Sequence, residues 1–280
     1  MAAWLDNFFF TYETLIHSLG VNGLLALSMY CVLALGQLSL GQAAFMGIGA
    51  YTGALLTLKA GLPFWSVLPL ATLAPALVAL IIGGPTLRLS GVYLAISTIA
   101  LGEVLRIFYI NAESITGGAL GLSGIPRLAG PGLIYGLLLV AMLGFWLVGR
   151  SRIGRAMEAM REDEVAAGVM GINPPLYKLG ALVVSAMLAG LAGCLSAHGN
   201  SFIGPNEYGF ETAVTILSFA LLGGIGSPVA PVLGAIVLTA LPELLRPLQD
   251  FRLVLHGLII VMAVLFLPGG ILPWRLRRAP

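Results

Sequence analysis

The chain has 280 residues and a formal net charge of +2, with 14 Lys and Arg against 12 Asp and Glu. Only 9% of residues are charged, 59% are hydrophobic and the mean hydropathy is +1.00, whereas a soluble domain carries about 25% charged residues. So little charge cannot coat a water-facing surface, and no Lys/Arg stripe offers a footprint for nucleic acid. The composition is that of a protein in a lipid bilayer.

A bilayer core of about 30 Å needs about 20 predominantly apolar residues per helix. Runs of that kind fall at 14–35, 38–58, 62–83, 90–110, 131–149, 177–197, 211–225, 229–246 and 252–269. The expected fold is an all-α integral membrane bundle of about nine helices (eight to ten), forming one domain over 1–280. The second, seventh and eighth runs are rich in Gly and Pro, so breaks are expected there. Continuous apolar runs exclude a membrane β-barrel, whose strands alternate. Met1 to Phe10 carries Asp6 and no basic stretch, unlike a cleavable signal peptide, so insertion is expected to rely on the spans.

Basic residues mark the cytoplasmic side. Arg88, Arg150, Arg152, Arg155, Arg161, Lys178, Arg275, Arg277 and Arg278 group on one side; Lys59, Arg106, Arg127, Arg246 and Arg252 group on the other. The connection 150–175 and the C-terminus are therefore expected in the cytoplasm.

That connection, SRIGRAMEAMREDEVAAGVMGINPPL, is unlike the others. Ile153, Ala156, Met157 and Met160 repeat at helical spacing, while Arg155, Glu158 and Glu162 occupy another face. The pattern predicts one amphipathic helix over 151–172, ended at Asn173-Pro174-Pro175, because proline removes a donor and restricts its predecessor. Alternating signs (Arg155, Glu158, Arg161, then Glu162, Asp163, Glu164) suit a protein face better than anionic lipid, which favours one-sidedly basic helices. The apolar stripe is expected to meet a partner.

Glu164, Ala166, Ala167 and Gly171 form E-x-A-A-x-x-x-G, similar to the cytoplasmic EAA loop of ABC importer permeases. LSLGQAAFMGIGAY (38–51), GVYLAISTIALGEVLRI (91–107), ESITGGALGLSGIP (113–126), SRIGRAMEAMREDEVAAGVMGI (151–172) and LLGGIGSPVAPVLGAI (221–236) resemble the branched-chain amino acid ABC transporter permeases of the LivM type. The resemblance runs from about 36 to 270. It implies a subunit of an inner-membrane importer working with a homologous second permease, two cytoplasmic ATPases and an extracytoplasmic solute-binding protein. It also implies a coupling role for Ile153, Arg155, Met157, Glu158, Met160, Arg161, Asp163, Glu164, Ala167 and Gly171. The polar stretch 111–130, with Asn111, Thr116, Gly117 and Gly118, falls in the external gate region of such proteins.

Polar residues inside spans usually face a cavity or another helix. Candidates for a translocation path are Gln37, Ser39 and Gln42 beside the first Gly-rich block, Glu103 (one turn from Arg106), and the stripe Glu211, Thr215, Ser218. Small residues such as Gly49, Gly53, Gly190 and Gly193 permit close helix packing, which drives association in lipid. Gly41 with Gly49-Ala50 and Gly226 with Gly234-Ala235 share a spacing, which suggests an internal duplication.

No G-x-x-x-x-G-K-[ST] motif is present, so ATP hydrolysis is expected in a separate subunit. His17, His198 and His256 lie far apart, Cys31 and Cys194 sit in apolar runs, and Cys194 with His198 lacks a third ligand. Neither an enzyme, a metal site nor a cofactor is expected. Urea, short amides, aromatic acids or a sugar remain alternative substrates within the family, and an ion-coupled secondary transporter remains the alternative outside it.

Overall fold

The computed structural model describes residues 2–86, 89, 91–244, 257, 258, 261, 265 and 269–272, with the backbone alone for 2–11 and 244. Eleven helices follow in order among these residues: α1 (Ala2–Leu33), α2 (Gln42–Leu58), α3 (Phe64–Thr86), α4 (Val92–Asn111), α5 (Glu113–Thr116), α6 (Pro131–Arg150), α7 (Arg152–Glu162), α8 (Glu164–Val169), α9 (Pro174–Asn200), α10 (Phe210–Gly223) and α11 (Val229–Leu244). Tyr12–Leu33 of α1, with α3, α4, α6 and α9, is long and apolar enough to cross a membrane. α2, α10 and α11 are apolar but shorter. The expected ninth span at 252–269, and Arg88, Arg246, Arg252, Arg275, Arg277 and Arg278, lie at or among positions outside the described residues.

α9 is the hub, packing against α1, α2 and α3. Glycine makes this possible, since a Cβ on Gly49 would overlap the Gly190 backbone, and one on Gly193 would overlap the Met46 carbonyl. Backbones that close gain the dispersion contacts that replace the hydrophobic drive inside lipid. α2 is buried nearly all round, as expected of a central helix. α6 instead keeps Leu139, Val140, Leu143 and Leu147 exposed, a face suited to acyl chains.

The second apolar run, 38–58, carries at its start the kind of break that its small residues led one to expect. Its helix begins at Gln42, and 34–41 is non-helical and mostly buried. Gly36 turns the chain at φ 74°, a conformation that costs a side-chain-bearing residue. The freed backbone is re-bonded locally: the Gln37 amide donates to the Val32 carbonyl (3.1 Å) and the Leu40 amide to Thr98 Oγ1 (2.9 Å). Irregular backbone in a membrane protein survives only when satisfied in this way. A second break, 224–228, separates α10 from α11; there the Ile271 amide donates to the Leu222 carbonyl at 2.8 Å.

The surface connection also differs from the single helix expected over 151–172. α7 stops at Glu162, and Asp163 caps a separate α8, its carboxylate accepting from Val165 N (2.9 Å) and Ala166 N (3.0 Å). Ser151 caps α7 in the same manner. Pro174 and Pro175 do not end a helix; they occupy the first turn of α9, where a missing amide proton costs nothing.

Candidate translocation and coupling sites

Gln42, the first residue of α2, donates from Nε2 to Ser185 Oγ at 3.3 Å. Ser185 also shares a 3.0 Å bond with Ser28 Oγ, which lies 2.9 Å from the Ser185 carbonyl. Ser185 stands eleven residues into α9, about 16 Å along its axis, so this polar knot lies near mid-bundle. Gln37, Ser39 and Gln42 are all buried beside it. Sequence reading located those three but missed Ser28, Ser185 and Thr98, whose role depends on partners 58 to 157 positions away.

Glu103 and Arg106 pair at 2.8 Å. The pair does more than neutralise itself. Arg106 Nη1 donates to Asn206 Oδ1 (3.2 Å), and the Phe210 amide, opening α10, donates to Glu103 Oε1 (3.2 Å). α4 is thus latched to the start of α10, which carries the stripe. Along α10 the Thr215 hydroxyl donates to the Glu211 carbonyl (3.0 Å) and the Ser218 hydroxyl to the Val214 carbonyl (2.9 Å). Glu211 is exposed, Thr215 half-buried and Ser218 buried. The mid-bundle knot and the α4–α10 latch are separate groups. Replacing Glu103 with Ala, which removes the acceptor, should cost at most about 1 kcal/mol, since both charges are partly exposed, yet speed hydrogen exchange at the Phe210 amide. Unchanged exchange there would show that the latch is not what orders this segment.

One turn beyond the latch on α4 lies an aromatic cluster: Tyr51 stacks on Tyr109 at 4.1 Å and meets Tyr208 edge-on at 5.9 Å. Gly47 leaves room for the Tyr208 ring. Partial burial pushes the Glu207 carboxyl above its ordinary pKa, partly offset by a hydrogen bond with the Gly204 backbone.

The segment 111–130 lies across the ends of α2, α4 and α9. Leu122–Ser123 pairs antiparallel with Phe202–Ile203, and Lys59 Nζ donates to the Ser114 and Ile115 carbonyls. Thr116 is buried, donating from its hydroxyl to the Tyr109 carbonyl at 2.6 Å. Asn111 is exposed and bonds its own helix. Gly117 and Gly118 both take positive φ.

At the opposite end, where α1 and α6 finish, α7 and α8 fold against the bundle. Met160 is 3% exposed, in a cluster with Cys31, Leu35, Ala167 and Ala181, and Met157 packs beside it. The expectation that this stripe meets a partner is corrected: Met157 and Met160 are turned onto the chain's own core, and only Ile153 of that stripe is well exposed. Val165, Val169 and Met170, which sequence reading passed over, are 77%, 84% and 85% exposed. Beside them lie exposed Arg155, Glu158, Asp163, Glu164 and Gly171, with Arg161 half-buried and Ala167 buried. Glu164 also pairs with Lys178, anchoring α8 to α9 at 2.6 Å.

Cys194 and His198 are occupied by ordinary partners. His198 Nδ1 lies 2.9 Å from the Cys194 carbonyl and Nε2 2.9 Å from the Thr57 hydroxyl.

Comparison with known proteins places these features in a lineage. The family model described as "Branched-chain amino acid transport system / permease component" matches residues 11–267. The high-affinity branched-chain amino acid transport system permease protein LivM of Escherichia coli K12 is 36% identical over 293 aligned positions, covering 92% of this chain and 67% of that protein. LivH of the same strain is 31% identical over 144 positions, covering 50% of this chain and 46% of its own length. The ribose import permease protein RbsC of Haemophilus influenzae is 24% identical over 286 positions, covering 92% of this chain and 85% of its own length. No solved structure matches. With the family model spanning nearly the whole chain, and with a multi-pass apolar helical bundle beneath it, the protein belongs to the permease component family of branched-chain amino acid transport systems.

Proposed function

We propose that this chain is one permease subunit of an ABC importer that carries branched-chain amino acids across the inner membrane. The observation that carries the reading is the 36% identity to LivM across 92% of the chain. A homologous second permease completes the pore, two cytoplasmic ATPases drive it, and an extracytoplasmic binding protein delivers solute. The chain forms a single domain of about nine spans, with 150–175 and the C-terminus in the cytoplasm and 111–130 outside. Arg150, Arg152, Arg155, Arg161 and Lys178 sit at one end of the bundle and Lys59 and Arg127 at the other, a bias that supports this sidedness.

On this reading α7 and α8 receive the ATPase. Their capped ends and the Glu164–Lys178 pair make a stiff unit able to transmit a push to α9. Gln37, Ser39, Gln42, Glu103, Glu211, Thr215 and Ser218 are the polar groups available to a passing solute. The two breaks support alternating access, because each is a place where a short helix can tilt without breaking intrahelical bonds. No covalent chemistry is asked of this chain.

The test is reconstitution. Assembled with its partners, the chain should take up L-leucine only with ATP and loaded binding protein; by itself it should take up none. Ion-driven uptake by the chain alone would transfer it to the secondary carriers, and selective uptake of ribose or urea would change the substrate. Within the complex, Thr215→Leu should reduce uptake to background while all subunits still co-purify. Undiminished uptake would remove the α10 stripe from the path.

A further inference from the structure

Where α1 passes Glu13–His17, between the start of α6 and the end of α9, the chain forms a half-open cavity of about 450 Å3, within the size range of small-molecule sites. Glu13 and His17 enter it from α1, Arg127 from the segment before α6, and Asn200 from the end of α9. It lies apart from both the knot at Gln42 and the latch at Glu103.

Its charges are arranged in an unusual way. Glu13 and Arg127 have opposite signs and line one cavity, yet the ion pairs among the described residues, Arg106–Glu103 and Lys178–Glu164, include neither. Arg127 is steered by a bond from Nε to Ser201 Oγ (3.3 Å), which leaves both Nη groups unengaged among the described residues. The third polar group is buried. His17 is 6% exposed and packs so closely on Gly199 that a Cβ there would overlap the ring. Its ring has the Leu195 carbonyl as a backbone partner, while Nε2 has no hydrogen bond. Nε2 faces the Gly199 backbone and has no surface open to the cavity, so His17 serves as wall and the groups left for a ligand are the two charges.

We propose that this corner binds a small zwitterion, with its ammonium at Glu13 and its oxyanion at Arg127. A simple anion would meet Glu13 and a simple cation would meet Arg127; a ligand bearing both charges satisfies both walls. Leu128, Ala129 and Pro131 complete the lining and accept an apolar substituent. Two sources share this chemistry: a free α-amino acid, and the head group of an aminophospholipid, which could reach the cavity along the outward-facing side of α6. The first source rests on the transport reading above; the second does not.

The experiment uses the complete transporter complex in two arms. Equilibrium dialysis measures binding of radiolabelled L-leucine without the solute-binding protein, and native mass spectrometry measures retention of phosphatidylethanolamine against phosphatidylcholine, whose head group has no N–H donor. Glu13→Gln and Arg127→Gln are surface changes and should leave assembly intact. Each should weaken one probe by about ten-fold or more, the loss of a charge-assisted contact. The double exchange Glu13→Arg with Arg127→Glu should recover much of that binding, because a zwitterion can bind turned end for end. Loss in the leucine arm identifies an amino-acid site, and loss in the lipid arm a head-group site. Wild-type complex that binds neither probe, or single variants that bind both probes normally, would overturn the proposal. ATP-driven leucine uptake is scored separately: transport with neither probe bound sinks only this site, whereas charge-dependent lipid retention without leucine transport sinks only the transport reading.

Discussion

Gly49→Leu is expected to eliminate the folded permease. A side chain at this position points into the Gly190 backbone, and backbone cannot swing aside as a flexible side chain can. Overpacking a core costs about 1–3 kcal/mol when side chains can yield. Here the cost should exceed about 3 kcal/mol, because relief requires parting α2 from α9 and with it the knot of Ser28, Gln42 and Ser185. Gly193→Leu meets the Met46 carbonyl and should behave alike. Gly136→Ala on α6, which has nothing within 4 Å of the added carbon, is the control and should match wild type or gain slightly from helix propensity. The readout is the monodisperse fraction and Tm in detergent. A Gly49→Leu protein with wild-type Tm would mean that α2 and α9 do not touch there.

Met160→Asp and Val169→Asp should fail in opposite ways. Met160 is buried among Cys31, Leu35, Ala167 and Ala181, so a carboxylate there has no partner. Burying a polar group without one costs about 2–7 kcal/mol depending on the reference state. The variant should lose thermal stability as an isolated subunit, before any ATPase is added. Val169 and Met170 stand in solvent, and Asp there should change stability by about 0.5 kcal/mol or less. Co-purification of the ATPase should nevertheless be lost with Val169→Asp or Met170→Asp, because a small apolar centre carries most of an interface's affinity. Arg155→Ala, at the charged rim, should reduce it far less. Full retention of the ATPase by both α8 variants would leave α7 and α8 as a mere connection.

The long apolar runs were legible because bilayer solubility is a property of composition: 131–149 anticipates α6, and 90–110 anticipates α4, each to within two residues. A break in the run 38–58 was legible from its small residues, but its extent over 34–41 was not. Leu35, Leu38 and Leu40 are as apolar as any helix requires, and what keeps them out of one is the turn at Gly36 and the partner Thr98 supplied by α4. Pro174-Pro175 was ambiguous in principle, since a proline that cannot continue one helix is well suited to begin the next. Asp163 resolves the connection differently from its hydrophobic pattern. By capping a new helix it shifts the phase, turning Val165, Val169 and Met170 outward while Ala167 faces in. Periodicity read across a cap mixes two phases. Gln37, Ser39 and Gln42 could be picked out as costly polar groups in lipid, but their setting could not, because Ser28 and Ser185 are adjacent only after folding.

The position of α9 sets a timetable for making the protein. Ribosomes add about 5–20 residues per second, and α9 ends roughly 140 residues after α2. For roughly six to twenty-five seconds α1, α2 and α3 are therefore in the membrane without the helix they pack against. During that interval the Ser28 hydroxyl and Gln42 amide lack Ser185, and Gly49 faces lipid rather than Gly190. The nascent chain must hold these groups among its own early helices until α9 is threaded between them. Closing the bundle is thus a late event in biogenesis, and the most glycine-dependent interface in the protein is also among the last to form.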